Sequence, residues 1–267
     1  MSSIDAAPLT WDVSATPGIP FRRLFTVELR KSADTRAGRW LIGVTVGVAL
    51  LAEVIYLIVA VNQDLDGSYG SFVAAAAFVC SFLLPILGIM LVSSEWSQRT
   101  AMTTFSLEPR RMRVIWAKML AGLALTVFVV AFALVTGLVF VLVFAGLQGQ
   151  SPDWTFGWAG FTGFVINQTF AMLGGFAMAC LLLNTPAAIV TYVVYRYVLP
   201  GLFAIGAALM GWFADLAPWI DFQGASSKLY DLPMSGTEWA QLATSGFLWL
   251  VVPLVIGLWR IRRAEVK

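Results

Sequence analysis

Six long apolar runs separated by short polar stretches set the pattern of this chain. They fall at about 40–62, 71–94, 114–146, 158–183, 186–213 and 240–259. Each reaches the ~20 residues that a helix needs to cross a bilayer. The third is longer than a crossing requires and is expected to tilt or to extend beyond the hydrocarbon. Only Asn184, Thr185 and Pro186 part the fourth from the fifth. That spacing predicts a tight hairpin of two full spans in preference to one bent re-entrant pair. Ahead of the first run, residues 20–36 read as an amphipathic helix, with Pro20 suited to its first turn. Phe21, Leu24, Phe25 and Leu29 share one side at helical spacing, while Arg22, Arg23, Arg30 and Lys31 lie mostly on the other. Such a helix lies in the membrane interface; a solvated basic helix is the alternative. Residues 1–19 are polar and carry Pro8, Pro17 and Gly18, which reads as a disordered cytosolic tail.

Composition turns these runs into a fold class. Of the 267 residues, 59% are hydrophobic and only 12% charged, with a mean hydropathy of +0.82. Soluble domains are roughly 25% charged, so the bilayer is the expected solvent for most of the chain. In lipid every backbone N–H and C=O needs an internal partner, and these runs are far too long for barrel strands. The expectation is an all-α membrane protein: six transmembrane helices and an interfacial helix, forming one transmembrane domain over 20–267.

Charge distribution orients it. Of the 17 Lys and Arg, all but Arg196 and Lys228 precede the first run, lie in 95–118, or follow Trp259. The opposite loops carry Asp64, Asp66, Asp153, Asp215, Asp221, Asp231 and Glu238. The positive-inside rule then puts both termini and the 95–113 connector in the cytosol. The other long connector, 214–239, is partly apolar, with Trp219 and Trp239, and is expected to pack on the outer membrane surface or cap the bundle.

Catalytic classes find little support. There is no histidine, which removes the commonest general base and metal ligand. Cys80 and Cys180 sit in separate apolar runs and read as buried free thiols. No GxxxxGK[ST] sequence is present, so ATP binding through a P-loop is not expected. No apolar leader core precedes the first run, so no cleavable signal is expected.

The densest polar information lies between the second and third runs. Written as E-x4-T-x8-P-x-R-x6-K, the connector places Glu95, Thr100, Pro109, Arg111 and Lys118 between two spans. A break near Pro109 gives a stiff protrusion. Arg110, Arg111 and Arg113 either meet an acidic surface or lipid phosphates, or simply set topology.

This connector resembles that of the permease subunits of ABC-2 type transporters. In that family a Glu ends the second span, followed by a Gly-Thr pair, a Pro-x-Arg turn and an Ala-Lys entering the third span. Glu95, Thr100, Pro109, Arg111, Ala117 and Lys118 fill those places, with Arg99 where the family usually has Gly. The segment Glu28-Leu29-Arg30-Lys31 is similar to the family's elbow helix, and the resemblance covers about 20–263. It implies a multi-pass permease subunit of a bacterial cell-membrane exporter. Two such subunits, identical or paralogous, would pair with two separately encoded ATP-binding subunits. ATP and Mg would be bound by those partners, with no cofactor in this chain and no nucleic acid involved. The connector residues Glu95, Arg99, Thr100, Pro109, Arg110, Arg111 and Lys118 would couple the two parts. The substrate would be amphipathic or lipid-like, such as a drug, peptide or lipid.

Intramembrane polar residues form a second constellation. Glu53 lies inside the first run and Arg196 inside the fifth, ~15 Å beyond Pro186 at helical rise. An arginine at that depth costs about 2.5–3.5 kcal/mol and should face protein with a partner. Tyr192, one turn earlier, and Glu53 are the candidates. The pair either lines a translocation path or fixes helix packing. Asn167 and Gln168 are weaker path candidates whose expected role is interhelical hydrogen bonding. Gly43-x-x-x-Gly47 offers a close-approach surface for dimer packing. A self-contained secondary transporter and a non-transporting structural membrane subunit are the alternative functions.

Overall fold

A computed structural model of the protein describes residues 18–98 and 100–263. The expected tail up to residue 17 and Arg99 lie outside the described residues. No strand occurs among those described, and the elements follow in order. Helix α1 spans Phe21–Asp34, α2 Arg36–Gln63, α3 Tyr69–Ser97, α4 Ala101–Leu107, α5 Arg111–Gln148 and α6 Gly157–Leu182. Next come α7 Thr185–Val193, a π turn Val194–Val198 and α8 Leu199–Leu209. Helices α9 Gly211–Ile220 and α10 Phe222–Ser227 and a 3₁₀ turn Lys228–Tyr230 lead to α11 Gly236–Gly246. A second π turn, Phe247–Val251, joins α11 to α12, Val252–Arg263. Counting the helices running through each π turn as one, six among the described residues are long and apolar enough to cross a membrane.

Local signals start and stop these helices. Thr35 caps α2 by accepting from the Gly38 N–H at 3.1 Å. Ser68 caps α3 by accepting from the Ser71 N–H, while Asp66 accepts from the Ser68 N–H at 3.1 Å. The Ser71 and Ser68 hydroxyls, against slight desolvation, hold the Asp66 carboxyl below its usual range. Between α6 and α7 the chain turns through Leu183 in the left-handed region, φ 52°. Asn184 then accepts from the Ala187 N–H at 3.0 Å, and Pro186 sits in the first turn of α7. The two runs thus form the helical hairpin that their spacing predicts. The fifth apolar run does not stay helical to 213. Met210 is extended, φ −132° and ψ 110°, and α9 folds back beside α8.

Helices α3 and α6 form the middle. Of their apolar stretches 56% is buried, against 17–28% in the other four. They meet closely because glycine permits it. A Cβ on Gly175 would lie 2.2 Å from the Pro85 carbonyl oxygen, and one on Gly88 would lie 2.5 Å from that of Met172. Around this seam Leu84, Ile89, Met172 and Phe176 are buried. Helix α2 packs on α3 and α5, while α7 packs on α3 and α6. The two therefore flank the α3–α6 pair in different places, which matters for Glu53 and Arg196.

Candidate functional site

Four charged side chains from three helices meet at one end of the bundle. Lys118 Nζ on α5 donates to Glu28 Oε2 on α1 at 2.7 Å and lies 2.9 Å from Glu95 Oε1 on α3. Lys31 Nζ on α1 reaches Glu28 Oε1 at 2.9 Å and Glu95 Oε1 at 3.0 Å. Lys118 is 3% exposed, Glu28 4% and Glu95 9%. Two carboxylates thus face two ammonium groups, and the cluster is neutral as a unit. Such burial is tolerable only when each charge has close opposite partners. Partial burial works against the charge on Lys31, but Glu28 and Glu95 outweigh it and hold its ammonium above the ordinary lysine range. Leu29, Leu41, Leu87, Leu91 and Leu125 form an apolar cluster that joins these three helices to α2.

The connector is braced at this end. The Thr100 N–H donates to the Glu95 carbonyl at 2.9 Å, just ahead of α4. Phe105 of α4 is buried near Trp96, with ring centroids 6.1 Å apart, and the Arg111 guanidinium lies 5.2 Å from the Phe105 centroid. Arg111 also donates to the Ile261 carbonyl on α12 at 2.8 Å. Arg113 pairs with Glu108 at 2.8 Å and donates to the Ile19 carbonyl at 2.7 Å. Opposite Phe105, α4 shows Met102, 57% exposed, and Leu107, 71% exposed, with Thr103 and Ser106 between them. Pro109 and Arg110 are exposed beyond it. On the neighbouring side, Thr185 at the start of α7 bonds Ser93 at 2.8 Å and Ser97 at 3.0 Å, flanking Glu95 along α3.

Glu95 and Lys118, two of the expected coupling residues, are turned inward and bind each other and α1. Sequence reasoning missed Glu28 and Lys31 as members of this cluster. A signal was present: Glu28 follows Phe21, Leu24 and Phe25 at helical spacing, so it sits on the apolar side of α1.

Glu53 and Arg196 do not form a salt bridge. Glu53 on α2 is fully buried and accepts from the Thr136 hydroxyl of α5 at 3.0 Å, with its second oxygen unpartnered. Arg196 sits in the first π turn, in the helix that packs on α3 and α6. Similar depth gave no information about azimuth, and the two side chains face different neighbours. The Arg196 guanidinium lies 5.6 Å from the Tyr197 ring centroid, within electrostatic reach of the Tyr192, Tyr195 and Tyr230 hydroxyls. Tyr192 is buried against Tyr195, whose ring stacks on Trp249 of the second π turn at 4.8 Å.

Asn167 donates to the Gly163 and Ser226 carbonyls at 2.9 and 3.0 Å. Gln168 donates to the Ala77 carbonyl at 3.1 Å, with its own carbonyl oxygen unpartnered. Both, with Arg196, line a cavity of about 530 Å³ between α3, α6 and α10. Gly43 and Gly47 are exposed on α2, and a Cβ at either would touch nothing within 4 Å. No group of His, Cys, Asp and Glu able to hold a metal occurs among the described residues. Comparison of the sequence with protein-family models and with curated proteins returns no match.

Proposed function

We propose that this chain is the permease subunit of an ATP-driven exporter of the ABC-2 type, in a bacterial cell membrane. Both termini and the connector face the cytosol, and α1 lies in the interface as the elbow. The reading is carried by one arrangement: the Glu28–Lys31–Glu95–Lys118 cluster lies beside the protruding α4. An ATP-binding partner seated on Met102, Thr103, Ser106 and Leu107 would push on a helix braced by Phe105, Trp96 and Arg111. The cluster would carry that displacement to α1, α3 and α5 together, and Thr185 would pass it to the helix bearing Arg196. Glu95 and Lys118 are therefore levers inside the permease, while the partner touches α4, Pro109 and Arg110. Two ATP-binding subunits and a second permease subunit complete the transporter, with Gly43 and Gly47 on the free face of α2 available for helix packing. The substrate is amphipathic or lipid-like and passes along the bundle.

Co-expression with a candidate ABC ATP-binding subunit tests this. Cysteines at Met102, Ser106 and Leu107 should crosslink to that subunit. Native background is low because Cys80 and Cys180 are buried. Purification of the chain without any ATP-binding partner, together with transport that proceeds in its absence, would replace this reading with a self-contained transporter.

A further inference from the structure

The cavity between α3, α6 and α10 has a definite chemical polarity. At about 530 Å³ it falls within the ~300–1,000 Å³ of small-molecule sites. Its wall is apolar where Val73, Ala77, Phe78 and Phe164 line it, and Phe78, 68% exposed, also belongs to the outer surface of α3. From Phe78 an aromatic row leads inward. Phe78 meets Phe82 edge-on at 5.3 Å, and Phe82 stacks on Tyr197 at 4.2 Å, beside Arg196. The polar wall holds one cation. Among the described residues no carboxylate lies within salt-bridge distance of Arg196. Its neighbours are phenol groups, which do not neutralise a guanidinium. Asn167 and Gln168 direct their amide N–H groups to backbone carbonyls, which fixes the orientation of both amides. Gln168 is 2% exposed, and its carbonyl oxygen lacks a partner. The site thus has a cation seeking an anion and a buried acceptor seeking a donor.

We propose that this cavity binds an anionic amphipath: a single alkyl chain bearing a carboxylate or phosphate, with a hydrogen-bond donor near the charge. Arg196 takes the anion in a charge-assisted pair. Gln168 accepts from the adjacent N–H or O–H, and the chain lies along Val73, Ala77 and Phe78 toward the outer surface. Its role as transported substrate rests on the exporter reading; its binding does not.

The test is equilibrium binding to the purified full chain in nanodiscs of zwitterionic lipid, without ATP or any partner. Three probes are titrated: N-dodecanoylglycine, dodecyl phosphate and neutral monododecanoylglycerol. At least one anion should bind about tenfold more tightly than the neutral probe. Arg196→Gln should abolish that preference, and Arg196→Lys should retain part of it. Ala74→Trp, which fills the cavity from an exposed position, should weaken the anion in a protein with intact charge. A preference for N-dodecanoylglycine that Gln168→Leu removes assigns an amide-bearing carboxylate. A preference for dodecyl phosphate assigns a lipid-type phosphate head. Equal binding of neutral and anionic probes overturns the proposal, as does discrimination that survives Arg196→Gln. Should Arg196→Gln not fold, anion binding unchanged in Ala74→Trp overturns it. Failure here leaves the ATP-binding partner untouched, and absence of that partner leaves this binding untouched.

Discussion

Lys118 and Glu28 meet at 2.7 Å, each almost wholly buried, although they lie on α5 and α1 and are separated by the whole of two intervening long helices. Their union makes α1 part of the bundle's mechanics and not merely an entry segment. Removing either partner leaves a different residue behind. Lys118→Met leaves two carboxylates facing Lys31 alone. Glu28→Gln leaves both ammonium groups on Glu95. Because Lys118→Met strands two buried acids, whereas Glu28→Gln leaves the buried Lys118 on Glu95 and Lys31 partly in solvent, Lys118→Met should cost about 3–5 kcal/mol and Glu28→Gln less. Thermal unfolding of purified variants measures this; equal losses would show that the cluster is not shared as described.

The same cluster predicts an alkaline limit. Lys31 has a folded-state pKa raised above 10.5. Its contribution is therefore complete below that value and is lost as pH climbs through the folded pKa. Lys31 is partly exposed, so the loss is about 1 kcal/mol or less. The difference in melting temperature between wild type and Lys31→Met should hold steady from neutral pH to about pH 10 and narrow above it. A difference that stays constant through the alkaline range would contradict the pairing.

Exposure along α4 predicts a labelling pattern. Met102→Cys and Leu107→Cys should react quickly with a polar maleimide, and Phe105→Cys at least about tenfold more slowly, in keeping with its burial. An ATP-binding subunit of the kind proposed should protect the first two. Protection at Phe105 alone would place the partner elsewhere.

What the sequence made legible was set by transfer free energy. Long apolar runs report their own burial, so the six membrane-length helices and the hairpin at Asn184 were readable. Glu95 and Lys118 stood out because each interrupts an apolar run at its edge. Glu28 did not, since charge is unremarkable in a segment as polar as 20–36, and only its place on the apolar face of α1 distinguishes it. Glu53 and Arg196 were linked by depth, a coordinate that sequence supplies. Azimuth around the bundle depends on which helices pack together, and hydropathy carries no such term. The π turns were invisible because an additional residue in a helix changes no composition.

Glycine positions separate internal from external packing. Gly175→Ala places a methyl against the Pro85 backbone and should destabilise by about 1–3 kcal/mol or more. Gly43→Ala and Gly47→Ala touch nothing within the chain and should leave the melting temperature of the isolated subunit unchanged or slightly raised. If α2 meets a second permease, those same alanines should weaken crosslinking across it. An equal loss of stability in all three variants would refute the division.

The stack of Tyr195 on Trp249 joins two π turns, Val194–Val198 and Phe247–Val251. A π turn accommodates one residue more than an α-turn. Deleting that residue would turn the π turn back into an α-turn, leaving the helix beyond it in phase but moving the ring that the turn itself carries. Either deletion alone would carry one ring off the other. The chain therefore keeps count of its residues at this point: the surplus residue in each helix is what holds the two rings face to face.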